Sequence, residues 1–352
     1  MALTEVEGPP GAPWHRPLAG ALDKLVVESE LLADNPLGDP ARRPLYVYRS
    51  PGVASDAGSR VPVVYVLQGY GGQVDTWLAR KPFDPTFAER LEELFGSGRC
   101  PEAIVVFVDA WTSLGGSQFL NSISTGRYAD YICDEIVQFI DSRYPTLAAR
   151  EHRGVCGHSS GGYGATVLSM LRPDVFGGFA SHAGDALFES CYQRDFPKVA
   201  RLLRDHFEGS FEVMLRELKD REHFDFSRFG LPLSIYAYSC AYSPDPERPG
   251  EALVPFEPET GRVVPEVWEQ WLMKDPVRMA AGHADALRAM RRIYLDAGLH
   301  DEYFLDLGAQ ALSSELDLLG VEHSLELFDG GHGGIAYRYP LAIRELVIGL
   351  AA

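Results

Sequence analysis

The stretch Val155-Cys156-Gly157-His158-Ser159-Ser160-Gly161-Gly162-Tyr163-Gly164-Ala165 decides how this chain is read. An apolar run ends at Cys156, small residues follow at once, and a helical pattern begins with YGATVLSMLR. A serine nucleophile needs its hydroxyl exposed on a sharp turn from strand to helix. Glycines on both sides of that turn tolerate the strained backbone and the close approach of neighbouring elements. Gly157 and Gly161 flank Ser159 in that pattern, so Ser159 is the expected nucleophile. The side chain of Ser160 falls outside it, but its backbone N–H, directly after the nucleophile, is placed to receive an oxyanion.

Working outward, strand and helix signals alternate. PVVYVLQGYGG (62–72) and AIVVFVD (103–109) are continuously apolar, as strands buried on both faces are. Further strand signals lie at 152–157, 176–182, 291–298 and 324–331. Helical stripes fall near 82–96, 129–143, 303–319 and 340–350. LDKLVVESELL and RPLYVYRSP, parted by a turn-like DNPLGDPAR, suggest an antiparallel start. The fold expected is α/β: a mostly parallel central sheet with helices on both faces and the strand C-termini along one edge, where sites of this class form. Residues 1–20, rich in Pro and Gly, are expected to form an irregular arm ahead of one domain over 21–352. The stretch 186–288 breaks the alternation and is expected to be an insertion capping the active edge.

The partners of Ser159 follow from chain order, which in hydrolases of this topology runs serine, acid, histidine. His332, in Gly330-Gly331-His332-Gly333-Gly334 after the last strand signal, is the expected base. His323 precedes that strand and belongs at the opposite edge; His300 lies where the acid is expected. YLDAGLHDEYF supplies Asp296, Asp301 and Glu302 near the end of the penultimate strand. Asp301, beyond Gly298, is best placed to reach across to His332. Asp296 lies within the strand, and Glu302 is equally explained by a helix dipole. Gln68-Gly69-Tyr70-Gly71-Gly72 follows a buried strand and offers Tyr70 or Gly71 as the second oxyanion donor, beside Ser160.

With 352 residues, 46% of them hydrophobic, the chain can bury a large core. A formal charge of −18 argues against phosphate backbones and anionic lipid surfaces, so neither nucleic acid nor membrane is an expected partner. Five scattered cysteines without a CxxC pair give no support for zinc and read as reduced thiols. The N-terminus lacks a basic start with an apolar run after it, and no window is long enough to span a bilayer, so a cytoplasmic location is expected. His182 and Asp185, in SHAGD, form no convincing metal pair, and no metal or cofactor is expected. Trp77, Trp111, Phe119, Phe188, Tyr192, Phe224, Phe226, Tyr236, Tyr238, Tyr242, Trp268 and Trp271 are aromatic candidates for either an acyl pocket or the core.

These motifs resemble the putative-esterase family of α/β-hydrolases, a group that includes esterase D (S-formylglutathione hydrolase), antigen 85, feruloyl esterases and enterochelin-esterase-like proteins. The resemblance is carried by PVVYVLQGYGG, the GGSQFLNS and TGRYADYICDEIVQFIDSRYPT segment, GHSSGGYGATVLSMLRPDVFGGFASHAGD, DAGLHDEY and FDGGH, and covers most of the chain. It implies a triad of Ser159, Asp301 and His332 acting on a small ester substrate. Two features depart from the family: Gln68 stands where members often have His, and the 186–288 stretch is longer than in a compact member. An acyltransferase would use the same residues, and a silent hydrolase fold serving as a binding protein is the competitor from another class. The sequence does not settle the oligomeric state.

Overall fold

The computed structural model describes residues 18–55 and 58–351. Most of the 1–20 arm lies outside the described residues. Among the described residues ten strands run in chain order: β1 (Ala21–Glu28), β2 (Arg42–Arg49), β3 (Val63–Leu67), β4 (Ile104–Val108), β5 (Asn121–Ser122), β6 (Gly126–Arg127), β7 (Arg153–His158), β8 (Gly178–His182), β9 (Arg292–Gly298) and β10 (Ser324–Phe328). Eight of them form one sheet in the order β1-β2-β4-β3-β7-β8-β9-β10, while β5 and β6 make a separate ribbon. β1 pairs antiparallel with β2, and β2 with β4; every other neighbour in the large sheet is parallel. The apolar runs of β3 and β4 are buried at every residue, as expected where helices cover both faces.

One layer of the core is packed by the helices Phe87–Gly96 and Tyr339–Ala351, the other by Ser160–Leu171 and the helical run 128–143. That run contains a wider turn over Tyr131–Ile136. The helix Phe87–Gly96 starts later than the sequence pattern suggests, because Thr86 caps it with a reciprocal bond to Glu89. At the sheet's start, Arg43 and Asp109 pair at 3.2 Å while almost wholly buried. The same guanidinium donates to Trp111 O at 2.9 Å and Tyr128 Oη at 2.7 Å.

Between β8 and β9 the chain leaves the sheet and forms a helical layer. Its main helices are Phe196–His206, Phe211–Asp220, Phe226–Tyr242 and Pro265–Leu272. They share an aromatic core, with Trp271, Phe188, Phe196 and Tyr242 all fully or nearly fully buried. This core joins the sheet through Tyr163 and Ala297. All five cysteines are buried and free. No described helix is long and apolar enough to cross a membrane.

Candidate active site

Parallel pairing decides which residues meet. Leu67 of β3 lies beside Gly157 of β7, His158 beside His182 of β8, and β8, β9 and β10 continue in register. The loops that follow β3, β7, β8, β9 and β10 therefore all emerge at one edge.

At the end of β7 the backbone turns sharply. Ser159 has φ 57° and ψ −126°, a conformation that a non-glycine residue rarely adopts. Its N–H donates to His182 O at 2.9 Å, and the helix Ser160–Leu171 starts at the next residue. The flanking glycines are there for space. A Cβ on Gly157 would sit 2.4 Å from the Gly161 backbone, and one on Gly161 would sit 2.4 Å from Leu67 O. The strain is retained because packing fixes the turn on every side.

The glycine loop after β3 lies directly against this turn: a Cβ on Gly69 would stand 3.5 Å from Ser159 Cβ. The Gln68 amide, with its nitrogen toward Val108 O at 2.6 Å and its oxygen accepting from Ala110 and Trp111 N–H at 3.0 Å each, ties the loop to the end of β4. Tyr70 Oη donates to Leu114 O at 2.7 Å. The Gly71 N–H donates to Gly115 O at 2.8 Å, so it is already committed. Tyr70 N–H and Ser160 N–H have no hydrogen-bond acceptor among the described residues.

Across the edge, His332 Nδ1 lies 2.8 Å from Asp301 Oδ2. Asp301 is buried, and its Oδ1 accepts the Tyr303 N–H at 2.8 Å. Glu302 does not begin a helix, since the next one starts at Leu305. Its Oε2 instead accepts the backbone N–H of His332 at 2.9 Å, and that bond holds its carboxyl below the usual range. The His332 ring packs between Tyr303, at 4.7 Å between centroids, and His158, at 4.4 Å. Burial, with the nearby rings of His332 and His182, holds the His158 imidazole well below its ordinary range and so favours its neutral form.

Asp296 sits elsewhere. Buried within β9, it bonds His182 Nδ1 at 2.6 Å and Arg338 Nε at 2.9 Å. Burial opposes its ionisation, but His182 and Arg338 prevail and hold its carboxyl below the usual range. The network continues through Tyr294 to Glu326 at 2.9 Å and braces the sheet behind the nucleophile turn. His300 is exposed and bonds Asp329, while His323 bonds Ser313 at the opposite edge. His182 is thus engaged with Asp296, and Asp185, in the loop directly after β8, bonds Tyr192, Gln118 and Ser160 instead. Among the described residues no group of three His, Cys, Asp or Glu side chains is placed to hold a metal ion.

A cavity of about 740 Å³ opens over Ser159 and His332. Tyr70, Trp111 and Tyr303 line it from the sheet side, and Leu218, Phe226 and Tyr238 from the helical layer. Of the aromatic candidates, Trp111, Tyr192, Phe224, Phe226 and Tyr238 face this space. Phe119, Phe188, Tyr236, Tyr242, Trp268 and Trp271 are buried in the cores instead, and Trp77 packs against Phe87 and Tyr339. Sequence reasoning missed three roles: the hold of Glu302 on the His332 backbone, the His158 ring beside His332, and Asp185 on the cavity wall. None has a local signal, because each depends on a partner distant in the chain or in a neighbouring strand.

Comparison with known proteins agrees with this architecture. The family model described as putative esterase matches residues 42–342. A ferulic acid esterase structure superposes with a TM-score of 0.59 at 18% identity, covering 94% of this chain and 98% of the other. An S-formylglutathione hydrolase from Agrobacterium tumefaciens gives 0.55 at 14% identity, with 96% and 97% covered. A stretch of 118 residues, 34% of this chain, is 25% identical to an endo-1,4-beta-xylanase/feruloyl esterase of Xylanibacter ruminicola, of which it spans only 16%. With its eight-stranded, mostly parallel sheet, its strained serine turn and a family match over most of its length, the chain belongs to the putative esterase family and has the α/β-hydrolase fold.

Proposed function

We propose that this protein is a serine esterase that cleaves carboxylic esters through an acyl-enzyme formed on Ser159. The observation that carries this reading is the convergence of Ser159 and an Asp301-bound His332 on one cavity. With Nδ1 held by Asp301, the His332 ring keeps Nε2 for the proton of Ser159 Oγ. Attack on the ester carbonyl makes a tetrahedral oxyanion, which the N–H groups of Tyr70 and Ser160 receive. Gly71 drops out of this role because Gly115 already takes its N–H. His332 then delivers the proton to the leaving alcohol, and water, activated by the same ring, releases the acid. Asp301 orients the ring and stabilises its charged form.

The cavity is far larger than a formyl group requires, and its aromatic wall suits a bulky acyl part, in keeping with the feruloyl esterases among its structural neighbours. The test is hydrolysis of p-nitrophenyl esters of increasing chain length by wild type and Ser159→Ala, with fluorophosphonate labelling of both. Activity and labelling in the wild type, both lost in the variant, are expected. A wild type that neither hydrolyses these esters nor takes the label would overturn the proposal.

A further inference from the structure

Asp185 is a carboxylate on the wall of the cavity, and the reaction just described leaves it without a task. It follows β8 by three residues and is buried, and no Lys or Arg pairs with it among the described residues. Three neutral donors converge on one oxygen, Oδ2: Tyr192 Oη at 2.6 Å, Gln118 Nε2 at 3.1 Å and Ser160 Oγ at 3.2 Å. The other oxygen, Oδ1, takes no hydrogen bond among the described residues, although Asp185 forms part of the cavity surface. A second acceptor is unfilled beside it, because Gln118 Oε1 is buried without a partner. The cluster is thus short of donors. A buried polar group left in that state is destabilising, and more so if it is charged.

The fold goes to some length to keep this arrangement. Gln118 and Phe119 have φ of 50° and 56°, and Ala183 and Leu187, either side of Asp185, have 43° and 56°. Left-handed backbone at four non-glycine residues around one carboxylate is strain of the kind that gathers at ligand sites. The loop is pinned further by Asp275, which accepts the N–H groups of Leu187 and Phe188 at 3.0 and 2.8 Å.

Position determines which part of a substrate would meet Asp185. In the proposed mechanism the leaving oxygen faces His332, so the acyl part extends away from that ring. Asp185 is bonded to Ser160, the residue after the nucleophile, and shares the cavity wall with Tyr192 and Tyr238 of the helical layer.

We infer that Asp185 is the polar recognition point of the acyl pocket, and that the preferred acyl group carries a hydrogen-bond donor, an ammonium or a hydroxyl, within a few atoms of the ester carbonyl. This rests on the esterase reading. The donor fills Oδ1, and because the existing partners of Asp185 are all neutral, an ammonium would also compensate its charge. Selection then takes an asymmetric form. A site built to hydrogen-bond a substrate group rejects the analogue that lacks it far more strongly than a merely apolar pocket discriminates by size.

The experiment uses the whole protein and three p-nitrophenyl esters with the same acyl skeleton, bearing a methyl, a hydroxyl or an amino group at one position. The wild type is expected to show a kcat/KM on the hydroxyl or amino ester at least about tenfold above the methyl one. Asp185→Leu should bring that ratio to unity or below. Asp185→Asn should retain a preference for hydroxyl but lose one for ammonium, and so identifies the donor. A purely structural role for Asp185 would lower all three rates together and leave the ratio unchanged. Equal kcat/KM on all three esters in the wild type overturns the inference even if the variants fail to fold. Failure of the underlying reading is distinguishable, since it would abolish hydrolysis of every ester together with fluorophosphonate labelling.

Discussion

Among single residues, the two aspartates near the end of β9 have opposite tasks. Asp301 touches the His332 ring, the base of the proposed mechanism, whereas Asp296 holds His182 and Arg338 behind the sheet. Asp301→Asn should preserve the fold and lower kcat by about 10³–10⁴-fold, because the amide no longer selects the productive tautomer. Asp296→Asn should act mainly on stability, since it removes one of the two carboxylates paired with the buried Arg338 guanidinium and leaves Glu326 at 2.8 Å; a loss of about 1–3 kcal/mol is expected. Urea unfolding beside steady-state kinetics separates the two, and the reverse pattern would exchange their roles. The sequence distinguishes these aspartates only by their distance from Gly298. That distance favours Asp301, because a residue within a parallel strand cannot reach past the strand's end. Nothing local reveals that Glu302, one position on, accepts the His332 N–H, a contact between two loops 30 residues apart.

Among elements, the turn into the helix Ser160–Leu171 is the most legible part of the molecule. Its glycines answer a steric demand that leaves a mark in the sequence. Gly161→Ala would drive a methyl to 2.4 Å from the Leu67 carbonyl, a clash that neither β3 nor the helix can relieve. Loss of about 1–3 kcal/mol or more is expected in thermal unfolding, with displacement of the Ser160 N–H and a fall in kcat. The helix Phe226–Tyr242 is the opposite case. Its run LPLSIYAYSCAY is apolar on all sides and contains Pro232, so periodicity gives it no direction. It is a helix because one side packs into the aromatic core through Phe229, Tyr236 and Cys240 while the other, with Leu231, Ile235 and Tyr238, closes the cavity. Phe226 near its start is 76% exposed yet lines that cavity. Phe226→Ala should therefore cost little stability and raise KM for apolar esters several-fold, by about 1 kcal/mol of lost contact, with kcat nearly unchanged. A fall in kcat at constant KM would instead assign this helix to the chemistry.

For the molecule as a whole, burial pushes the Asp109 carboxyl up to about 6, with Arg43 only partly offsetting it. A carboxyl whose folded value lies above its unfolded one favours folding while it is protonated, and that contribution is lost as pH rises. For Asp109 the window runs from about pH 4 to 6 and is worth about 3 kcal/mol. Asp109→Asn lacks this term. Whatever the substitution costs at pH 4, the gap between wild type and variant should narrow by that order when unfolding is measured at pH 7. A gap independent of pH would show that Asp109 ionises as freely folded as unfolded. Buried pairs of this kind are hidden from the sequence, where Arg43 and Asp109 are only two of many charges. The mostly parallel sheet covered on both faces is legible in the sequence, because continuously apolar runs can lie only where both faces are covered, whereas the strand order β1-β2-β4-β3-β7-β8-β9-β10 leaves no such mark.

The bracing of the nucleophile turn by β9 and Arg338 has a consequence for how the protein is made. Ser159 is translated well before Asp301, His332 and Arg338, and β8 must wait for β9 to supply its outer neighbour. On the proposed mechanism, a nascent chain that has reached only the helical layer carries a nucleophile with no base to activate it. Hydrolytic competence therefore arrives late in synthesis and all at once, and a ribosome stalled before residue 332 would hold a chemically quiet protein.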